Sequence, residues 1–164
     1  MTRHLFCLLL CALIALPLKA IKIPDDHIFV FERSTNTNYV CYDINLDGDR
    51  LNQKEPISIY WVLGNATRIE DLTFLDKRMA FGIKVHSISD DEATVSLIPY
   101  KKLPIRIFQH KGKWVGVVRM NGHDIIIERL YAQMKSGITV HCEHVDVFGT
   151  DLKTGKKCRE RIKS

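Results

Sequence analysis

The chain has 164 residues, with 24 Lys and Arg against 19 Asp and Glu for a formal charge of +5; 46% of residues are hydrophobic and 26% charged. These proportions belong to a folded globular protein and exclude a disordered one, and the length holds a single domain. So mild a positive balance, interleaved with acidic residues, also argues against nucleic acid as a partner.

The first twenty residues read as a secretory signal. Arg3 and His4 give a short polar start, Leu5 to Leu16 is an uncharged apolar run, and Lys19-Ala20 returns the chain to polar sequence. The run is shorter than the ~20 residues a spanning helix needs and no second one follows, so no transmembrane segment is expected in the mature chain. Cleavage is expected near Ala15 or Ala20. A lipid on Cys11 is not expected, because Leu10 precedes it where a small residue belongs. Losing Arg3 and Lys19 takes the 24 basic groups to 22 against 19 acidic ones, or +3.

Cys7 and Cys11 leave with the signal, and Cys41, Cys142 and Cys158 remain. In an oxidising compartment three cysteines allow one disulfide and one free thiol. Cys142 with Cys158 would close a loop worth ~3 kcal/mol on the chain-entropy model, and Cys41 is an equally legal partner.

Downstream, short runs rich in Val, Ile, Tyr, Phe and Thr alternate with turn residues about every ten positions, the pattern of an all-β sandwich or barrel. Strands are expected at 27–33, 37–44, 56–63, 81–88, 93–99, 104–110, 113–120, 123–131 and 138–148. Asn121-Gly122 marks a type I′ hairpin, and His110-Lys111-Gly112-Lys113 a second tight one. Strands joined this closely are antiparallel. Ile69, Leu72, Leu75 and Met79 fall at helical spacing, which predicts one short helix over 69–80. Apolar residues on both faces of 56–63 favour a covered or curled sheet. The expected fold is therefore all-β and mainly antiparallel: an eight- or nine-stranded meander closing into a barrel, lipocalin-like in outline, with one short helix. A β-sandwich is the alternative. The barrel-like domain is placed at 21–150, and 151–164 is read as a basic C-terminal strand or tail.

Residues 31–43 hold the first candidate site. A polar turn separates two strands, and Arg33, Asn36 and Asn38 offer a guanidinium and two amides to a carboxylate or a sugar. The same side chains can equally serve the turn's own backbone. Arg33-Ser34-x-Asn36-x-Asn38, then Val40 and Tyr42-Asp43, Pro56-Ile57, Tyr60-Trp61 and Ala80-Phe81-Gly82, make the chain resemble an uncharacterised family of exported bacterial proteins, domain of unknown function family 4833. The resemblance covers roughly residues 27–150. It implies a gut-associated, Gram-negative envelope protein and implies no activity.

Asp43, Asn45, Asp47 and Asp49 match the alternate positions of a calcium loop, with Gly48 at its turn, but Lys54 stands where the closing Glu belongs. Calcium is thus the one cofactor the sequence raises, and a plain Asp-Gly turn explains the same residues. In His141-Cys142-Glu143-His144 strict alternation sends His141 and Glu143 to one face and Cys142 and His144 to the other, too divided for one metal. There is no G-x-S-x-G and no phosphate loop. What remains is the barrel interior, where Tyr60, Trp61, Trp114, Arg106 and Arg119 would combine an apolar pocket with cationic anchors if their strands turn them inward. The leading expectation is an exported, non-enzymatic binder of a small or amphipathic ligand. The alternative is an envelope protein-interaction or structural module using a free sheet edge or the 31–38 turn, and an unrecognised hydrolase comes third.

Overall fold

In the computed structural model, residues 26–64, 68–135 and 141–163 are described. The signal segment and its cleavage points lie outside them. Thirteen strands follow in chain order: β1 (Phe29–Arg33), β2 (Tyr39–Ile44), β3 (Leu46–Asp47), β4 (Arg50–Leu51), β5 (Ile57–Leu63), β6 (Arg68–Asp71), β7 (Ile83–Ile88), β8 (Glu92–Leu97), β9 (Tyr100–His110), β10 (Lys113–Met120), β11 (His123–Lys135), β12 (His141–Asp151) and β13 (Lys157–Lys163). A helical turn, α1 (Phe74–Asp76), runs into a π-helical turn at Lys77–Phe81 between β6 and β7.

The all-β, mainly antiparallel reading is correct, and the sheet curls into a half-barrel. Two arms meet on the long strand β11. One is β6-β5-β2-β1 and the other is β7-β8-β9-β10. β10 pairs with the first residues of β11, up to Ile126, while β1 pairs with Arg129 to Ala132 further along. That β1–β11 ladder is parallel, the exception in an otherwise antiparallel sheet. Among the described residues β6 and β7 each pair on one side only, so the two arms end without joining.

Alternation builds the core between the arms. Phe29 on β1, Val40 and Tyr42 on β2 and Ile57 on β5 face Ile105, Ile107, Val118, Ile125 and Ile127 from the other arm and β11, all buried in one cluster. Gly116 sits where the arms touch; a Cβ there would meet Ile28 at 3.0 Å. At one end the β3–β4 hairpin closes the gap. Leu51 is buried, its N–H donates to Asp90 O at 2.8 Å, and Arg50 pairs with Asp90. The other end stays open.

The local turn chemistry is as expected. Lys111 and Asn121 take positive φ, each followed by a positive-φ glycine, which the two tight hairpins require. One short helix is present as expected, and its extent is the main correction. Residues 68–71 are strand, and the helical turn begins only after Thr73, whose side chain forms a capping box with Asp76. Of the four spaced apolar residues only Leu72 is buried, while Leu75 and Met79 are 64% and 70% exposed. The spacing did not mark a packed face.

In the C-terminal segment Lys157–Lys163 forms strand β13, because Asp151 accepts from the Lys153 and Thr154 amides and turns the chain back onto β12. The Cys142–Cys158 disulfide is the second correction. All three described cysteines are free. Cys158 pairs with Gly149, seven positions along β12 from Cys142, roughly 20 Å at ~3.3 Å per residue, whereas a disulfide needs its Cα atoms within ~7 Å.

Candidate functional site

The open end of the half-barrel is an apolar groove of about 280 Å³. Its walls are Phe31 from β1, Phe81 from the π-helical turn, Leu103 and Ile105 from β9, and Leu130 and Ala132 from β11. The volume falls just below the ~300–1,000 Å³ common for small-molecule sites. Phe81 is fixed by Tyr42, which stacks on Phe29 and whose OH donates to Phe81 O at 2.7 Å. Gly82 follows because a Cβ there would lie 1.9 Å from Lys77 O.

One cation enters this groove. The F-x-F-x-R alternation of β1 carries Arg33 inward behind Phe29 and Phe31. Its guanidinium lies over Trp61 at 5.1 Å and over Phe81 at 5.3 Å from the ring centres. Trp61 and Phe81 themselves meet edge to face at 4.8 Å. Among the described residues Arg33 makes no ion pair, and its Nε is buried with no hydrogen-bond partner. Buried N–H groups are nearly always satisfied, so an orphan of this kind marks a site.

The other sequence candidates divide. Trp61 joins Arg33. Tyr60, one residue away on β5, points to the opposite face and donates to Asp43. Asn36 and Asn38 serve backbone: Asn36 Oδ1 accepts from Asn38 N–H and Asn38 Oδ1 from Gly64 N–H. Arg106 and Arg119 both lie against Asp124, at 3.6 and 3.2 Å, away from the groove. Trp114 packs at the edge of the core and borders a separate hollow with Arg106 and Phe108. The calcium candidates do not converge. Asp43 is engaged by His27 and Tyr60, Asn45 donates to Glu55 O, and Asp47 and Asp49 lie in the exposed β3–β4 hairpin. Among the described residues no His/Cys/Asp/Glu group is arranged to hold a metal.

Two polar constellations on the outer face were not singled out by sequence. In the first, His27 Nδ1 is 2.6 Å from Asp43 Oδ1, its Nε2 is 3.5 Å from Cys41 Sγ, and Tyr60 OH donates to Asp43 Oδ2 at 2.6 Å. The Asp43 bond, with help from Cys41, pushes the His27 pKa up to about 10. Burial, then the bond to Asp43, pushes the Tyr60 phenol up. In the second, Asp146 on β12 is 2% exposed and receives both Arg159 and Arg161 from β13. The Arg161 bond, followed by Arg159, holds its carboxyl far below the usual range against the opposing effect of burial. Arg129 and Arg159 stack on the neighbouring Phe148 ring.

A family model described as a domain of unknown function, DUF4833, matches residues 29–161. The chain belongs to that family. The DUF4833 match reaches further than the sequence resemblance and takes in Arg161, so β13 is part of the family domain. Comparison with curated proteins and with solved structures finds no match. Among the described residues no helix is long and apolar enough to cross a membrane.

A bulge explains one further departure from alternation in this DUF4833 chain. Between Gln133 and Met134 the ladder skips Glu143, so Glu143 and His144 both face the outer hollow while Cys142 turns into the groove.

Proposed function

We propose that this protein is exported and that its groove is a non-enzymatic site for a small amphipathic anion. The ligand carries an apolar body in the groove and one carboxylate, or an equivalent anionic head, on Arg33. The observation that carries this reading is the buried, partnerless Nε of Arg33 at the wall of an otherwise apolar groove. An arginine stacked on two rings keeps its fork planar and weakly hydrated, which suits an oxyanion with two acceptor atoms. Export rests on the character of residues 1–20.

Calorimetric titration of the full chain with octanoate, octanol and octylamine tests it. Octanoate should bind saturably, octanol more weakly and octylamine not at all. Equal affinity for all three, or for none, overturns the assignment. N-terminal sequencing of chain recovered from the envelope fraction should begin near residue 16 or 21, and an intact start in the cytoplasm contradicts export.

A second reading, an interaction module of the envelope, is favoured by Phe74, Leu75 and Met79, which stand 71%, 64% and 70% exposed beside the groove mouth. Under it, Phe74→Ser with Leu75→Ser would abolish partner capture and leave octanoate affinity unchanged.

A further inference from the structure

The geometry points to a second, chemically distinct site on the outer face: Cys41, His27, Asp43 and Tyr60 form a nucleophilic thiol centre whose substrate is a hydroperoxide. Cys41 and Asp43 share the outer face of β2 by alternation, and the β2–β5 register sets Tyr60 directly beside Cys41. His27 arrives from the segment before β1 and bridges the thiol to the carboxylate. The order is that of a nucleophile, a proton carrier and an orienting acid, with Tyr60 fixing the far oxygen of that acid.

Two features choose the substrate class. β2 is laddered on both edges, to β1 and to β5, so the backbone around Cys41 has its N–H groups committed to the sheet. An acyl substrate needs such donors for its oxyanion, and this strand cannot supply them. Second, Cys41 is 0% exposed, whereas His27 and Asp43 above it are 15% and 20% exposed in their side chains. The sulfur has no surface open to water, so a substrate reaches it only where the side chains of His27 and Asp43 give way, which admits a molecule near the size of water and excludes a peptide.

A hydroperoxide fits both limits. The Cys41 sulfur attacks the terminal oxygen, an S–O bond forms and the O–O bond breaks. His27, as the imidazolium, gives its Nε2 proton to the departing oxygen and takes up the thiol proton in its place. Sulfur is oxidised to the sulfenic acid by two electrons, and the peroxide is reduced to water or an alcohol. Cys142 lies in the groove on the opposite face and Cys158 on β13, so among the described residues no second thiol stands by to form a disulfide. The sulfenic acid therefore persists until an external thiol reduces it. Glu32, Tyr39, Asp43 and Tyr60 on β1, β2 and β5 face this centre, with Asp71 of β6 beside Tyr60 and Arg129 of β11 paired to Glu32, and His27 is the cation in contact with the thiol.

The test is competitive oxidation of the full chain by limiting hydrogen peroxide with dimedone present, read by peptide mass spectrometry. Cys41 should be trapped roughly tenfold faster than Cys142 or Cys158, while a bulky maleimide labels the latter two first. Asp43→Asn and Tyr60→Phe should slow trapping at Cys41 alone and displace its pH–rate profile. Tyr60→Phe keeps the ring, so it carries the test should Asp43→Asn fail to fold by near-ultraviolet circular dichroism. Trapping of Cys41 no faster than the other two, or only in urea, or unchanged by Tyr60→Phe, overturns the proposal.

Discussion

Arg33 and the pair Arg159/Arg161 sit on opposite faces of one curled sheet and show two uses of the same side chain. Arg159 and Arg161 converge on Asp146, whose carboxylate is buried, and each of them is about half exposed. Each donates to that carboxylate, and the arrangement fastens β13 to β12. Among the described residues Arg33 has neither carboxylate nor partner for Nε, and it stacks on the faces of Trp61 and Phe81. A satisfied arginine belongs to the architecture. An unsatisfied one beside an apolar groove is held ready for a group that arrives from outside.

The sharpest way to break that contrast is to remove Arg33. Arg33→Ala should weaken octanoate binding by about 2 kcal/mol, roughly thirtyfold, and lower stability by no more than about 1 kcal/mol, because the stacking on Trp61 and Phe81 is lost but no ion pair is. Calorimetry and differential scanning measure the two effects on one preparation. Asp146→Ala should do the reverse, lowering stability by about 1.5 kcal/mol with octanoate affinity intact. The loss stays below the ~3–5 kcal/mol of a broken buried pair because the two arginines can rehydrate. Its pH signature has a definite sign. A carboxyl held low in the folded state stabilises above the unfolded value near ~3.9, and that contribution drains away as the pH falls below it, so the acid limb of wild type should be steeper than that of the variant.

Arg161→Ala should cost about 1 kcal/mol, because Arg159 still pairs with the buried Asp146 carboxylate, and should not touch binding. His27 gives the gentlest effect. Its pKa is raised from 6.5 to about 10 by Asp43 and Cys41, so its stabilisation is complete below 6.5 and lost as the pH rises through 10. Urea titrations across that window should show a decline in wild type that His27→Gln flattens.

Sequence reading did well wherever structure is decided locally. The Asn121-Gly122 hairpin and strand 113–120 need only turn chemistry and period-two patterning, and both stand as expected. Arg33 was legible as a polar outlier between strands, but not its solitude, since the absence of a carboxylate depends on what β5 and the π-helical turn bring near it. Arg106 and Arg119 went to Asp124 because the parity of β9 and β10 is set by pairing, which one sequence does not fix. The thiol centre was hidden for a like reason. Cys41 and Asp43 share a face on any register, but His27 joins them only through the folding back of the chain before β1. Glu143 defeats alternation outright, because a single bulged residue moves Cys142 to the other face.

The most direct measurement is a proton–nitrogen spectrum of the arginine Nε–H groups during octanoate titration, with Arg33→Ala identifying the signal. The Arg33 resonance should move in proportion to occupancy while those of Arg159 and Arg161 stay in place. Saturable binding that leaves the Arg33 signal unmoved would contradict the account.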